Sequence, residues 1–227
     1  MSVEVIVGTH ADDDAHRRAA RDWTVAWYRA RGWPATVTTA RLQPWRKAEA
    51  YNAAVGASSA DVVILADSDS FVSSEALEWA AYAAADVGWA VPFTKVCRLT
   101  EQATAATLQL DPAKVEYPRD RALGQKAHDV LAGGGIVAMT RDLALQCGPF
   151  DPRFVGWGGE DYALGCAART LAGDYPASRR GPLWHLWHPP QPRTAELDEA
   201  TNRLGFRYRV AKFQPDAMRA LIAEWRS

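Results

Sequence analysis

Nowhere in the 227 residues do about 18 apolar residues follow one another, so no membrane-spanning helix is expected. The opening Met1-Ser2-Val3-Glu4 has neither the basic start nor the longer apolar run of a signal peptide. A soluble chain is expected, without membrane insertion, in the cytoplasm of a bacterium or of a virus-infected host. Cysteine is scarce: Cys97, Cys147 and Cys166 are odd in number, lie in apolar contexts and lack the short paired spacing of structural zinc. Reduced core thiols are the reading. Charge of either sign is nearly balanced, at a formal net of -1, which excludes a global basic field for nucleic acid or an anionic membrane and leaves room for a local patch. There is no Ser/Gly-rich or Pro-rich linker, no repeat and no low-complexity segment, so one α/β domain over residues 1–227 is expected. Tryptophan, by contrast, is plentiful at ten residues; most large aromatics are core, and a few could stack on a flat ligand.

Residues 3–7 form a β-branched run ending at Gly8-Thr9-His10, and Ala15, Ala19, Trp23 and Trp27 then recur at helical spacing until Arg31-Gly32-Trp33-Pro34 stops them. Strand, loop and helix repeat over residues 35–39 and 48–55. Residues 61–67 read as a strand, continuously apolar between Asp61 and Asp67, as in the interior of a parallel sheet. A helix over 74–85 and a strand over 89–93 follow, while 100–125 resists assignment. A glycine-led strand over 133–139, a helix capped by Thr140 and running to Gln146, and helices over 161–171, 196–203 and 215–225 complete the pattern. Repeated βα units imply a doubly wound, mostly parallel sheet, whose ligand lies beyond the carboxyl ends of the strands, where Thr9 and the Asp67-Ser68-Asp69 triplet fall.

Three clusters carry chemistry. Asp67-Ser68-Asp69 puts two carboxylates on one side of an extended segment, which suits a divalent cation bridging the phosphates of a nucleotide-sugar. The plainer alternative is a solvated turn with Ser70 capping the next helix. His185 and His188, flanked by Trp184 and Trp187, could share one metal if the chain turns there; singly, each could be a hydrogen-bonded core histidine. No H-E-x-x-H pattern is present, so the carboxylates to complete a site are those of Asp67 and Asp69. Finally, Gly156-Trp157-Gly158-Gly159-Glu160-Asp161 sets two carboxylates at a helix start behind a glycine-rich loop. Helix-dipole stabilisation accounts for the charges but not for the glycines, which fit a lid. Asp161 is read as a general base and Glu160, with Trp157, Gly158 and Gly159, as the acceptor-binding group.

These residues resemble the β-1,4-galactosyltransferase-like glycosyltransferases of GT-A fold and their relatives among the polypeptide N-acetylgalactosaminyltransferases. Gly134-Gly135-Ile136 through Glu160-Asp161 is similar to that family's glycine-led strand, helix and lid. Trp45-Arg46-Lys47 through Asn52 is similar to its aromatic, basic, then Asn segment. The resemblance implies a GT-A fold and a donor site at Gly8, Thr9, His10, Lys47, Asn52, Asp67, Gly134 and Gly135, with Lys47 near the diphosphate. It implies Mn²⁺ or Mg²⁺ at Asp67, Asp69, His185 and His188, with Asp69 and His188 the firmer ligands. Asp161 stands where retaining relatives tend to carry Asn, which implies inversion. Tyr162 departs from the further Asp of several galactosyltransferases, leaving the acceptor open among glycan, protein, lipid and modified base. A basic rim of Arg119, Arg121, Arg179, Arg180, Arg207 and Arg209 could serve the last of these. The expectation is transfer from a UDP-sugar to an acceptor hydroxyl with inversion. A retaining transferase, or a binding module that does no chemistry, are the alternatives.

Overall fold

The computed structural model describes residues 1–42, 44–118, 134–156, 158–179, 181–190 and 194–226, and the backbone of 124–127. Trp157, Arg119, Arg121 and Arg180, named above, lie outside the described residues.

The chain opens with β1 (Val3–His10), α1 (Ala15–Ala30), β2 (Ala35–Ala40), α2 (Lys47–Ala57) and β3 (Val62–Asp67). β3 carries a continuous buried apolar run, and β1 is flanked on both sides by parallel partners, β2 and β3. Next come β4 (Ser70–Phe71), α3 (Ser74–Val87), β5 (Trp89–Val91), β6 (Lys95–Arg98), α4 (Glu101–Leu108), a 3-10 turn (Pro112–Lys114) and β7 (Gly124–Ala127). The chain closes with β8 (Ile136–Thr140), α5 (Arg141–Cys147), α6 (Glu160–Ala172), β9 (Ala177–Ser178), β10 (Pro182–His185), α7 (Ala195–Ala211) and α8 (Pro215–Ala223). Side-chain caps mark several helix starts: Asp14, Ser73, Thr100, Thr140 and Thr194 each accept from a backbone N–H of the first turn. Ser73, not Ser70, caps α3.

The central sheet runs β2-β1-β3-β8-β5-β9 and is mostly parallel. Its exception is β8, which is antiparallel to both neighbours. A buried apolar run reads the same in either direction, so the sequence pattern does not reveal this reversal. Its consequence is functional, because it brings the start of β8 to the carboxyl end of β3. A second sheet, β4-β10-β6-β7, was not foreseen. Its described strands have two to four residues, too few to show a period. The helix expected over 196–203 runs on to Ala211, through Gly205, because Leu204, Tyr208 and Ala211 bury at successive turns.

The core lies between the central sheet and its helices, where Ile6, Trp27, Tyr51, Ile64, Phe71, Trp89 and Met139 are fully buried. All three cysteines are buried and free. Burial pushes the Cys147 thiol up to about 12, in line with a core role. No helix among the described residues is long and apolar enough to cross a membrane.

Candidate active site

Gly8 and Asp67 face each other across the β1–β3 register at the carboxyl end of the sheet. Gly8 must be glycine for packing: an added Cβ would lie 2.3 Å from the Tyr51 ring. That ring crosses the strand to donate from its hydroxyl to the Ala66 carbonyl at 2.7 Å, which fixes α2 over the strand end. One helical turn earlier, Lys47 is thereby held over the site, buried, with Nζ 2.9 Å from Asp67 Oδ1 and 2.7 Å from Asp161 Oδ1. Burial alone would lower its pKa, but Asp161 and Asp67 outweigh burial and hold it well above the usual lysine value.

Asp161 enters from the first turn of α6, next to Gly134 at the head of β8. A Cβ on Gly134 would stand 2.6 Å from Asp161 Oδ2, and Gly135 O accepts from Asp67 N at 2.7 Å. The reversed strand thus lets a carboxylate lie against bare backbone. Burial raises the Asp161 pKa and Asp67 adds to it, against the pull of Lys47. Burial, reinforced by Asp161, pushes Glu160 up to about 7. Glu160 Oε2 is buried without a hydrogen-bond partner among the described residues. Gly158 and Gly159 have φ of 110° and 85°, the left-handed region that favours glycine.

The Asp-Ser-Asp triplet does not behave as an extended segment. Ser68 and Asp69 form a turn between β3 and β4, so the alternate-residue rule fails and Asp67 turns to Lys47. Asp69 instead joins His185 and His188, whose ligand atoms all lie within 4.8 Å of one another. Asp69 Oδ2 is 3.1 Å from His188 Nε2, and Oδ1 is 3.8 Å from His185 Nε2. The unforeseen sheet builds this group: β10 pairs with β4 so that His185 faces Ser70, and Leu186 N donates to Asp69 O at 2.8 Å. Burial alone would raise Asp69; His185, His188 and Arg17 overcome it and hold the carboxyl far below its usual range. Burial keeps His185 below its ordinary value, with Arg98 and His188 adding to it. For His188, burial is outweighed by Asp69 and the value rises. Two imidazoles and one carboxylate whose ligand atoms converge within 4.8 Å form a donor set that fits a divalent metal of the Mn²⁺ type better than Mg²⁺, which takes oxygen ligands.

Sequence reasoning missed two arginines. Arg17 of α1 has Nη2 2.7 Å from His188 Nδ1 and donates to Pro189 O at 3.0 Å. Arg98 of β6 has Nη1 3.2 Å from His185 Nε2. Neither has a local signal, since both reach the site only through tertiary packing. Other residues of the expected donor side serve the framework in this structure. Thr9 Oγ1 donates to Asp13 Oδ2 at 2.5 Å, and the His10 ring lies 3.2 Å from Leu42 O and accepts from Asp12 N at 3.1 Å. Asn52 clasps the Phe150 backbone, donating to its carbonyl at 2.7 Å and accepting from its N–H at 3.0 Å. Of the expected basic rim, Arg179 pairs with Glu75 and Arg207 with Glu224.

A family pattern described as glycosyltransferase-like family 2 matches residues 1–181. The chain belongs to this family. The match covers Lys47, the Asp-Ser-Asp turn and Asp161 of this glycosyltransferase-like domain and ends just before β10, so His185 and His188 lie beyond it. No curated protein matches the chain in sequence. Among solved structures, the catalytic domain of Drosophila β1,4-galactosyltransferase 7 in complex with xylobiose is similar, with a TM-score of 0.53 and 13% identity over 89% of this chain and 80% of that one. A variant of the Drosophila enzyme in complex with manganese, UDP-Gal and xylobiose gives 0.52 and 14% over 87% and 79%. A mycobacterial protein gives 0.51 and 18% over 92% and 74%. At such identities the likeness is one of fold, and the fold of this family member is GT-A.

Proposed function

We propose that this chain transfers a sugar from a UDP-linked donor to an acceptor hydroxyl with inversion, with Asp161 as general base. The observation that carries this reading is convergence: Asp69, two residues past the end of β3, gathers His185 and His188, while Asp67, the last residue of β3, shares the Lys47 ammonium with Asp161. Asp69, His185 and His188 would hold a divalent cation, which when bound neutralises charge growing on a departing diphosphate. A similar structure holding manganese and UDP-Gal makes this pair the first probe. Lys47, held between Asp67 and Asp161, is the cation at the same strand end and would bind the same phosphates.

Asp161 is partly buried, and its raised pKa makes it a stronger base than an ordinary aspartate. Glu160, with one oxygen unpartnered, would take a hydroxyl of the acceptor sugar or side chain, and Gly158 and Gly159 would let the acceptor approach. In the free protein Lys47 stabilises ionised Asp161. Drawing that ammonium toward a diphosphate leaves the carboxylate more basic, so donor binding would prepare the base.

The test combines binding and product. Mn²⁺ with UDP should raise the melting temperature, by an amount equivalent to roughly 2.7 kcal/mol at about a hundred times the dissociation constant, and Asp69→Ala should abolish the shift. Asp161→Asn should keep it while lowering turnover by about 10²- to 10⁴-fold. A product with retained anomeric configuration, or full turnover by Asp161→Asn, sinks the base assignment.

A further inference from the structure

The C-terminal half of α7 presents an unusual face. Leu204, Tyr208 and Ala211 form its buried stripe, while Phe206 and Val210 point away from it, 54% and 53% exposed. Phe213, just past the helix, is 59% exposed, and Tyr175 from the loop after α6 is 51% exposed. Scattered exposed apolar residues are ordinary, but here Tyr175 and Phe213 are bridged by one cation, and Phe206 and Val210 stand one helical turn apart on α7. The Arg169 guanidinium lies 3.0 Å from the Tyr175 ring centroid and 4.2 Å from that of Phe213. Arg209 lies 4.9 Å over Phe206, and Lys212 5.1 Å over Phe213.

A second, independent observation concerns the backbone. Phe213 has φ of 71°, the only non-glycine residue among the described residues with a positive φ. Such a conformation costs on the order of 1 kcal/mol. It is clamped by the Phe213 N–H, which donates to Thr170 Oγ1 at 3.2 Å. The chain thus keeps a large apolar ring in water at a strained turn.

The charge is one-sided. Residues 203–213 hold Arg203, Arg207, Arg209 and Lys212 and no acid. Glu199 pairs with Arg203 and Glu224 with Arg207. Among the described residues no carboxylate forms an ion pair with Arg169, Arg209 or Lys212, and the nearby Asp174 accepts from Tyr175 N. We propose that this face docks on an anionic lipid surface, with Phe206, Val210, Phe213 and Tyr175 at the acyl boundary and the three cations among the headgroup phosphates. Apolar groups ringed by long cationic side chains match the depth profile of that boundary, where stems are buried and charges stay among phosphates. A protein interface core is instead depleted of lysine. With a net charge of -1 for the whole chain, attraction must come from this patch and would fix the orientation of docking. The proposal does not rest on the transfer reaction.

The experiment is co-sedimentation of the full chain with phosphatidylcholine vesicles, with and without about 30% phosphatidylglycerol. Binding is expected only with the anionic lipid and should weaken with salt. Phe206→Ser combined with Phe213→Gly, and separately Arg209→Glu combined with Lys212→Glu, should each lower the partition coefficient at least about tenfold. Glycine suits the positive φ at position 213, so loss of binding in that variant, at an undiminished melting temperature, is not a folding defect. Arg21→Glu with Arg29→Glu, on α1, should leave binding intact. No binding to anionic vesicles, or equal binding by both patch variants, overturns the proposal. So does a dimer that the Phe206→Ser variant dissociates in the absence of vesicle binding, since a second copy would then cover the face.

Discussion

Lys47 shows what one side chain can decide at this site. It is a buried cation facing two carboxylates, and removing one partner of such a group leaves the other charges uncompensated. Its attraction lowers the Asp161 pKa against the stronger effect of burial. Lys47→Met should therefore move the acid limb of kcat/KM to higher pH, because Asp161 then holds its proton longer, and should raise the donor KM. An acid limb that stays in place would separate Lys47 from the base. Legibility at this scale was uneven. Asp69, His185, His188 and Asp161 stand out in the sequence because a charged or metal-binding group beside an apolar strand, a tryptophan or a glycine pair is conspicuous, whereas Lys47 is reached only through the family resemblance. The turn at Ser68-Asp69 is the plainer alternative to an extended segment in the sequence, and Arg17 and Arg98 were not legible, since nothing local to an arginine says which distant imidazole it will meet.

The loop between α5 and α6 shows how elements hold Asp161 in place. Three ties fix it: Asn52 of α2 to Phe150, Gly156 N to Trp45 O at 2.7 Å, and Asp151 to its surroundings. Asp151 is fully buried at the side chain and takes two bonds from Arg153 Nε at 3.0 Å, one from Nη2 at 2.7 Å and one from the Tyr208 hydroxyl at 2.9 Å. Arg153 continues to Glu224 at 2.6 Å, so the network joins the loop to α7 and the end of α8. Asp151→Ala would strand a guanidinium and a phenol, and the expected loss is about 3 kcal/mol, measured as a lower urea midpoint with an unchanged slope. A loss under about 1 kcal/mol would mean that the network is surface-like in energy. The long elements were legible because α1, α3 and α6 carry enough turns to show their period. The strands of the second sheet were not, because their pairing comes from long-range contacts that place β10 between β4 and β6.

At the scale of the whole molecule, the site costs stability that the core must offset, and the cost depends on pH. Glu160 is raised from its ordinary 4.5 to about 7 by burial and by Asp161. A carboxyl raised on folding makes the native state bind more protons than the unfolded one between those two values, so stability falls as pH rises through that window. Asp161, also raised, acts in the same direction. Lys47, held above its ordinary value, stays charged throughout and adds no slope there. The two histidines titrate nearby with opposite signs: raised His188 loses its contribution as pH rises, whereas lowered His185 penalises the acid side. The histidines are common to wild type and a Glu160→Gln variant, so the difference between the two isolates the carboxyl. Melting temperatures measured with chelator present from pH 5 to pH 8 should show the variant gaining on the wild type as pH rises. Parallel curves would mean that Glu160 is ionised with little penalty in the folded chain. Its buried, unpartnered oxygen would then need a partner other than a proton, and the acceptor role assigned to it would lose its physical basis.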